Sequence, residues 1–369
     1  VRRRRGQTRI AEELGRGLAL RGTVWPGGAA EAFDGVLVVA GDGTVAALGR
    51  PGEVPLPAGL LVLGAPGCWV GPGVVDAHVH LAFGGPEQAL AGGLVAVRDL
   101  GAPLADALGW RTGPGRPPGG RPRVAVAGPV LTAPGGYPSR SWGAGGFAAF
   151  AGTPEQGGEL VRRLAVDGVD VIKVALEPGA GWPVPPLPVV RAVVEAAHQI
   201  GLAVTAHALS NEMVARALAA GVDELAHTPV ERLTEPLVDR IAAAGIPVVS
   251  TLQTFCSGGS GWSAAANAAN LYRAGVPLLY GTDLGNAGTR PGVDPRELDR
   301  LAAAGLGRLG ALRAATGGSA LAAGITGRSG RIELGESAAL VLLRTDPLVE
   351  PGAWRQPCAV VCDRRLLRL

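Results

Sequence analysis

The feature that most constrains this chain is a rhythm. Between about Gly71 and Asp283, short apolar runs alternate with Ala-rich stretches of helical length. The strand-like runs are Val74–Ala77, Val95–Val97, Val124–Ala127, Val171–Val174, Ala203–Thr205, Glu224–Ala226, Pro247–Ser250 and Pro277–Tyr280. Helix-like stretches between them include Ala102–Trp110, Pro154–Val166, Pro188–Ile200, Glu212–Ala220, Glu235–Ala244 and Ser263–Ala274. Continuous apolar strands separated by helices pair in parallel, with both sheet faces covered. Eight such units close as a (β/α)₈ TIM barrel within an α/β fold. The competing architecture, an open doubly wound sheet, carries a Gly-x-Gly-x-x-Gly turn after its first strand, and none follows Ala77.

The two ends read differently. Residues 17–70 hold "GVLVVAGDGTVAALG" and "LLVLGAP", and residues 330–369 hold "GRIELGESAALVLLR" and "CAVVCDRRLLRL". Short alternating strands broken by Gly, Asp and Glu turns are β structure. Neither end makes a robust domain alone. The expected organisation is therefore a basic tail over residues 1–16, a small β-sandwich from 17–70 plus 325–369, and a barrel over 71–324. At 369 residues the chain suits one large domain with a smaller companion.

Charge and cysteine content narrow the function classes. The net charge is +3, and Arg2, Arg3, Arg4 and Arg5 supply four positive charges. The body is therefore not basic, which argues against nucleic acid as a partner. Cys68, Cys256, Cys358 and Cys362 form neither a disulfide framework nor a Cys-x-x-Cys pair. They read as reduced thiols, which fits a cytoplasmic protein. No apolar run reaches membrane-spanning length, so no membrane role is expected. A homo-oligomer is compatible with the sequence.

Function is carried by the polar residues that interrupt the apolar strands. "PGVVDAHVH" ends the first strand, and His78 and His80 share one face because strand side chains alternate. Two imidazoles so placed suit a metal. Lys173 sits inside "VDVIKVAL", His207 ends "GLAVTAH", His227 ends "VDELAH" and Asp283 ends "PLLYGTD". A lysine inside a buried strand is costly unless it is paired or chemically changed. His78 and Asp283 lie 205 residues apart, about 29 per step over seven βα steps, close to the usual barrel repeat. The six groups thus fall on strands 1, 4, 5, 6 and 8 and converge on the top of one barrel. The fifth histidine, His198, lies on a helix and reads as structural.

Taken together, these residues resemble the amidohydrolase superfamily, in its prolidase-like and imidazolonepropionase-like branches. The resemblance runs from about residue 17 to the end. It includes "AVRDLG" (Ala96–Gly101), "IKV", "TAH", "ELAHT", "GTD" and the returning tail Ala311–Leu343. One departure is "GGY" (Gly135–Tyr137), where relatives often have Gly-Gly-His, so substrate contacts do not carry over there. The resemblance implies one or two divalent metals, usually zinc. His78, His80 and Asp283 would hold the first and His207 and His227 the second, with Lys173 bridging as a CO₂-derived carbamate. It implies a metal-activated hydroxide that attacks a carbonyl carbon and so cleaves the C–N bond of an amide, cyclic amide or dipeptide, with Asp283 as the catalytic proton acceptor.

The substrate is expected to be a small molecule. Tyr137, Arg140 and Arg290 are candidate substrate-binding residues in top-face loops, with Gln253 and Asn286 beside them. A lactone or ester would suit the same site. A mononuclear deaminase-type site is the second enzyme reading, although Ser210 stands where such relatives carry Glu. A scaffold without catalysis is disfavoured because all six ligands are present.

Overall fold

In the computed structural model, residues 12–112, 121–257, 261–325 and 330–369 are described. Arg2–Arg5 lie outside them. Eight parallel strands form the barrel: Val74–Val79, Leu94–Asp99, Arg123–Val126, Val171–Leu176, Ala203–Ala208, Glu224–Leu225, Val248–Val249 and Leu278–Leu279. They are called strands 1 to 8 below. Strand 8 returns to strand 1 through Ala77 N–H to Tyr280 O at 3.1 Å and Asp283 N–H to His78 O at 2.8 Å. Asp170 N–H to Val126 O, 2.8 Å, closes strand 3 onto strand 4.

The helices form where the sequence supplies both a face and ends. In Pro154–Asp167, Thr153 accepts from Gln156 N–H and Pro154 opens the first turn, while Gly168 ends it at φ +101°. Its Leu160, Val161 and Leu164 are buried with Ile172, Val174 and Leu176 of strand 4. Those strand residues point outward. Lys173 and Ala175 alternate with them and face the barrel interior. Ser210, the position at which a deaminase-type acid was considered, instead caps helix Asn211–Ala220 by accepting from Met213 N–H.

Both chain ends contribute to one eight-stranded sheet. Its order is Glu12–Glu13, Arg365–Arg368, Ala359–Cys362, Ala339–Leu343, Leu61–Pro72, Leu18–Val24, Phe33–Val39 and Val45–Gly49. The sheet curls over its own core, because Val45 N–H reaches Glu336 O at 2.8 Å. Leu18, Leu20, Leu37, Leu340, Leu342 and Val361 fill the space between. Glu12 and Glu13, within the stretch read as a tail, pair with Leu366 and Arg365. Their carboxylates meet Arg368 and Arg365, a cross-strand charge match that the arginine run had obscured.

Trp69 joins the sheet to the barrel. It is 1% exposed, and its ring lies 6.1 Å from Trp25 and 5.9 Å from Trp354. Trp69→Ala is expected to cost about 3–5 kcal/mol through the cavity it leaves. A chemical denaturation curve checks this; a loss under about 1 kcal/mol would mean the two parts do not depend on this contact. All four cysteines are free, with Cys362 buried. Among the described residues no helix is long and apolar enough to cross a membrane.

Candidate metal centre

Strand ends deliver the site. His78 and His80 leave strand 1, Lys173 lies in strand 4, His207 in strand 5, His227 follows strand 6 and Asp283 follows strand 8. All six line one cavity of about 450 Å³. Asp283 Oδ1 lies 3.4 Å from His78 Nε2 and 3.3 Å from His80 Nε2. These three donors sit within 4.8 Å of one another. The imidazoles continue the arc: His78 and His227 are 4.6 Å apart between ring centres, and His227 and His207 4.8 Å.

Outer partners fix the tautomers. The His78 Nδ1–H donates to Ala226 O at 2.9 Å and the His80 Nδ1–H to Gly101 O at 3.1 Å. A carbonyl only accepts, so each Nε2 keeps its lone pair toward the cavity. His207 is turned the other way, its Nε2–H donating to Glu177 Oε2 at 3.1 Å, which leaves Nδ1 free. Thr251 Oγ1 engages His227 Nδ1 at 3.0 Å.

The electrostatics suit a cation. Burial, then Lys173 and neighbouring imidazoles, hold His78 and His227 well below the ordinary histidine pKa. Burial also lowers His207. Burial opposes charge on His80 as well, but the Asp283 and Asp99 carboxylates outweigh it, so its pKa lies above the ordinary value. Burial lowers Lys173 to about 7, against the pull of Asp283 and Glu224. His78 Nε2, Lys173 Nζ and Asp283 Oδ1 are buried without a hydrogen-bond partner. Buried polar atoms are rarely left so, and three in the lining of one cavity fit a metal. His207 and His227 lack a third His, Cys, Asp or Glu donor of this kind among the described residues; Lys173 lines the same cavity.

Asp283 adopts φ +54°. Its carboxylate is turned back over strand 1 by its own N–H bond to His78 O. Non-Gly residues at positive φ cost energy and concentrate at functional sites, and Asp tolerates the region better than most.

Tyr137 and Asn286 line the cavity. Tyr137 Oη accepts from the Trp142 indole N–H at 2.8 Å, which leaves its own proton free to donate. Arg140 and Arg290 are not lining residues: the Arg140 guanidinium lies over Trp182, 4.9 Å from the ring centre, and Arg290 Nη2–H donates to Arg355 O at 3.4 Å. Gln253 spans Ser257 and Arg300. His198 is exposed and pairs with Asp223 at 2.9 Å.

Three supporting groups escaped the sequence reading. Glu177 stands one residue beyond strand 4 and orients His207. Asp76 accepts from His78 N–H, Thr282 N–H and the Thr282 hydroxyl, fastening the two strands that carry His78 and Asp283. Arg98 and Glu224 form a buried ion pair inside the barrel. The signal that singled out Lys173, a charge within an apolar strand, applies equally to Arg98 and Glu224.

Comparison with known proteins agrees with this geometry. A profile of the amidohydrolase family matches residues 121–362, which include Lys173, His207, His227 and Asp283. No curated protein matches the sequence. Among solved structures, a Bifidobacterium longum protein provisionally assigned as a prolidase is similar at 27% identity and TM-score 0.82, covering 96% of this chain and 95% of its own. A Xaa-Pro dipeptidase with bound methionine in its active site is similar at 20% identity and TM-score 0.82, covering 96% and 100%. A prolidase complexed with N-methylphosphonate-L-proline is similar at 22% identity and TM-score 0.79, covering 95% and 99%.

Proposed function

From the premise that this chain belongs to the amidohydrolase family of hydrolases, we propose that it cleaves a C–N bond of an amide, cyclic amide or dipeptide at a binuclear centre. His78, His80 and Asp283 would hold one divalent ion, zinc by donor type, and His207 and His227 the other. Lys173 would bridge them as a carbamate. The observation that carries this is the trio of orphaned buried atoms on His78, Lys173 and Asp283. When bound, the metals supply Lewis acidity and a water of lowered pKa.

The chain's own groups do the rest. The His78, His207 and His227 imidazoles, which burial holds below the ordinary histidine pKa, present lone pairs without carrying charge. Asp283 accepts a proton from the attacking water and returns it to the leaving nitrogen. Water and amide thereby give a carboxylic acid and an amine. Tyr137 is suited to donate to the substrate carbonyl oxygen. The 27% identical prolidase-assigned relative supports a dipeptide or related amide.

Elemental analysis tests the centre, on protein grown with zinc and bicarbonate beside Lys173→Ala. Near two metals per chain, falling in the variant, supports the bridge. Near one in both favours the mononuclear reading, which the three-donor set at His78, His80 and Asp283 also suits. No metal in either removes the hydrolase mechanism.

Carbamate formation consumes neutral amine, and burial brings Lys173 to about 7. The neutral form therefore prevails above that pH and fades below it. Bicarbonate-dependent reactivation of metal-free protein is expected to be faster at about pH 8 than at about pH 6. The reverse order would exclude a lysine carbamate. Glu177→Ala is expected to weaken metal binding about 10–100-fold by releasing His207. Metal titration with a competing chelator reads this, and an unchanged affinity would separate Glu177 from the centre.

A further inference from the structure

Aromatic residues are scarce in this chain, with seven Trp, three Tyr and five Phe in 369 residues. Five of them, Phe83, Tyr137, Trp142, Trp182 and Phe255, line the cavity above the metal ligands. Four form a continuous wall. Phe83 to Trp142, Trp142 to Tyr137 and Tyr137 to Trp182 are each 6.1 Å between ring centres, and each pair meets edge to face. Phe255 stands elsewhere on the rim, 5.5 Å from His227. Val130 and Leu209 add apolar surface.

The charges complete the picture. Lys173, at the metal site, is the only Lys or Arg among the described lining residues, and with Asp283 assigned to the metal, Glu177 is the carboxylate left among them. Arg140 is not a lining residue and lays its guanidinium on the Trp182 ring of that wall, while Arg290 is engaged at Arg355 O, Arg296 on Asp294 and Arg300 on Gln253. A free α-carboxylate is ordinarily met by a guanidinium fork or an ammonium group. This cavity offers it an aromatic wall and the Glu177 carboxylate.

We propose that the cavity selects a neutral amide bearing an aromatic ring, and discriminates against substrates with a free carboxylate such as unmodified dipeptides. Flat rings would stack against the Trp142–Tyr137–Trp182 wall while the amide carbonyl approaches the metal ligands. This deepens the hydrolase reading and rests on it for the cleavage step, but the binding preference stands on the cavity itself.

A matched pair isolates the charge: N-benzoylglycinamide and N-benzoylglycine differ by one carboxylate. Affinity for metal-loaded protein is read from quenching of tryptophan fluorescence, which Trp142 and Trp182 report, and hydrolysis is measured in parallel. The amide is expected to bind at least about tenfold more tightly. Trp182→Ala should lose most of that affinity, and Trp182→Arg should narrow the preference by about tenfold. Equal or tighter binding of the acid overturns the proposal, as does failure of the amide to bind at millimolar concentration. Preferential binding of the amide without cleavage of either compound would uphold the selectivity and count against the hydrolase reading alone.

Discussion

Asp283→Asn is expected to lower kcat/KM by about 10²–10⁴-fold, the range that positioned proton transfer contributes. The side chain keeps its size and its oxygen, but an amide cannot take a proton from water. The backbone should tolerate the change, because Asn, like Asp, accepts the left-handed conformation that φ +54° demands. The denaturation midpoint should therefore stay close to the parent's. Asp283→Ala should lose comparable activity and also some stability, about 1 kcal/mol, since alanine pays for that conformation. Steady-state kinetics beside denaturation curves separate the two effects. An Asn variant that keeps a tenth or more of the parent's activity would remove Asp283 from the proton path.

The second large effect concerns stability. Arg98 and Glu224 are 2% and 4% exposed. Arg98 donates to Ala77 O and Ala322 O, both at 2.9 Å, and to the Glu224 carboxylate. Glu224 also accepts from the Thr205 hydroxyl at 2.7 Å. The pair thus ties strand 2 to strands 1, 5 and 6 and to the helix Ser319–Ala322. Arg98→Met leaves a buried carboxylate without its counter-charge and should cost about 3–5 kcal/mol. Adding Glu224→Gln removes that charge and should recover much of the loss, although the hydrogen bonds to Ala77 and Ala322 stay broken. A double-mutant cycle by urea denaturation measures the coupling. Additive losses within about 0.5 kcal/mol would show the pair to be energetically independent.

The same pair marks where sequence reading stops. Lys173, Thr205 and Glu224 lie in register across strands 4, 5 and 6. Strand alternation already placed His78 and His80 on one face, because a side-chain period of two needs no knowledge of neighbours. Which charge meets which depends on the pairing of strands far apart in the chain. Arg98 and Glu224 are 126 residues apart. No local pattern specifies their contact.

The loops show the same division. "TAPGGYPSRSWGAGG" and "EPGAGWPVPPLP" were legible as top-face segments because they follow strands, and Tyr137 was legible as a polar group within one of them. Their glycines and prolines say little about side-chain direction. Only the folded loops bring Tyr137, Trp142 and Trp182 to the cavity and hold Arg140 over the Trp182 ring.

The sequence by itself determined the alternating barrel, the sheet drawn from both ends and the six polar residues at strand ends, since periodicity and the cost of burying charge are local properties. The tertiary structure alone decided the histidine tautomers, the Glu177 and Asp76 supports, the Arg98–Glu224 pair and the aromatic wall. Each of these arises from groups that become neighbours only when the barrel closes, and the energy of a buried polar contact depends on every atom around it.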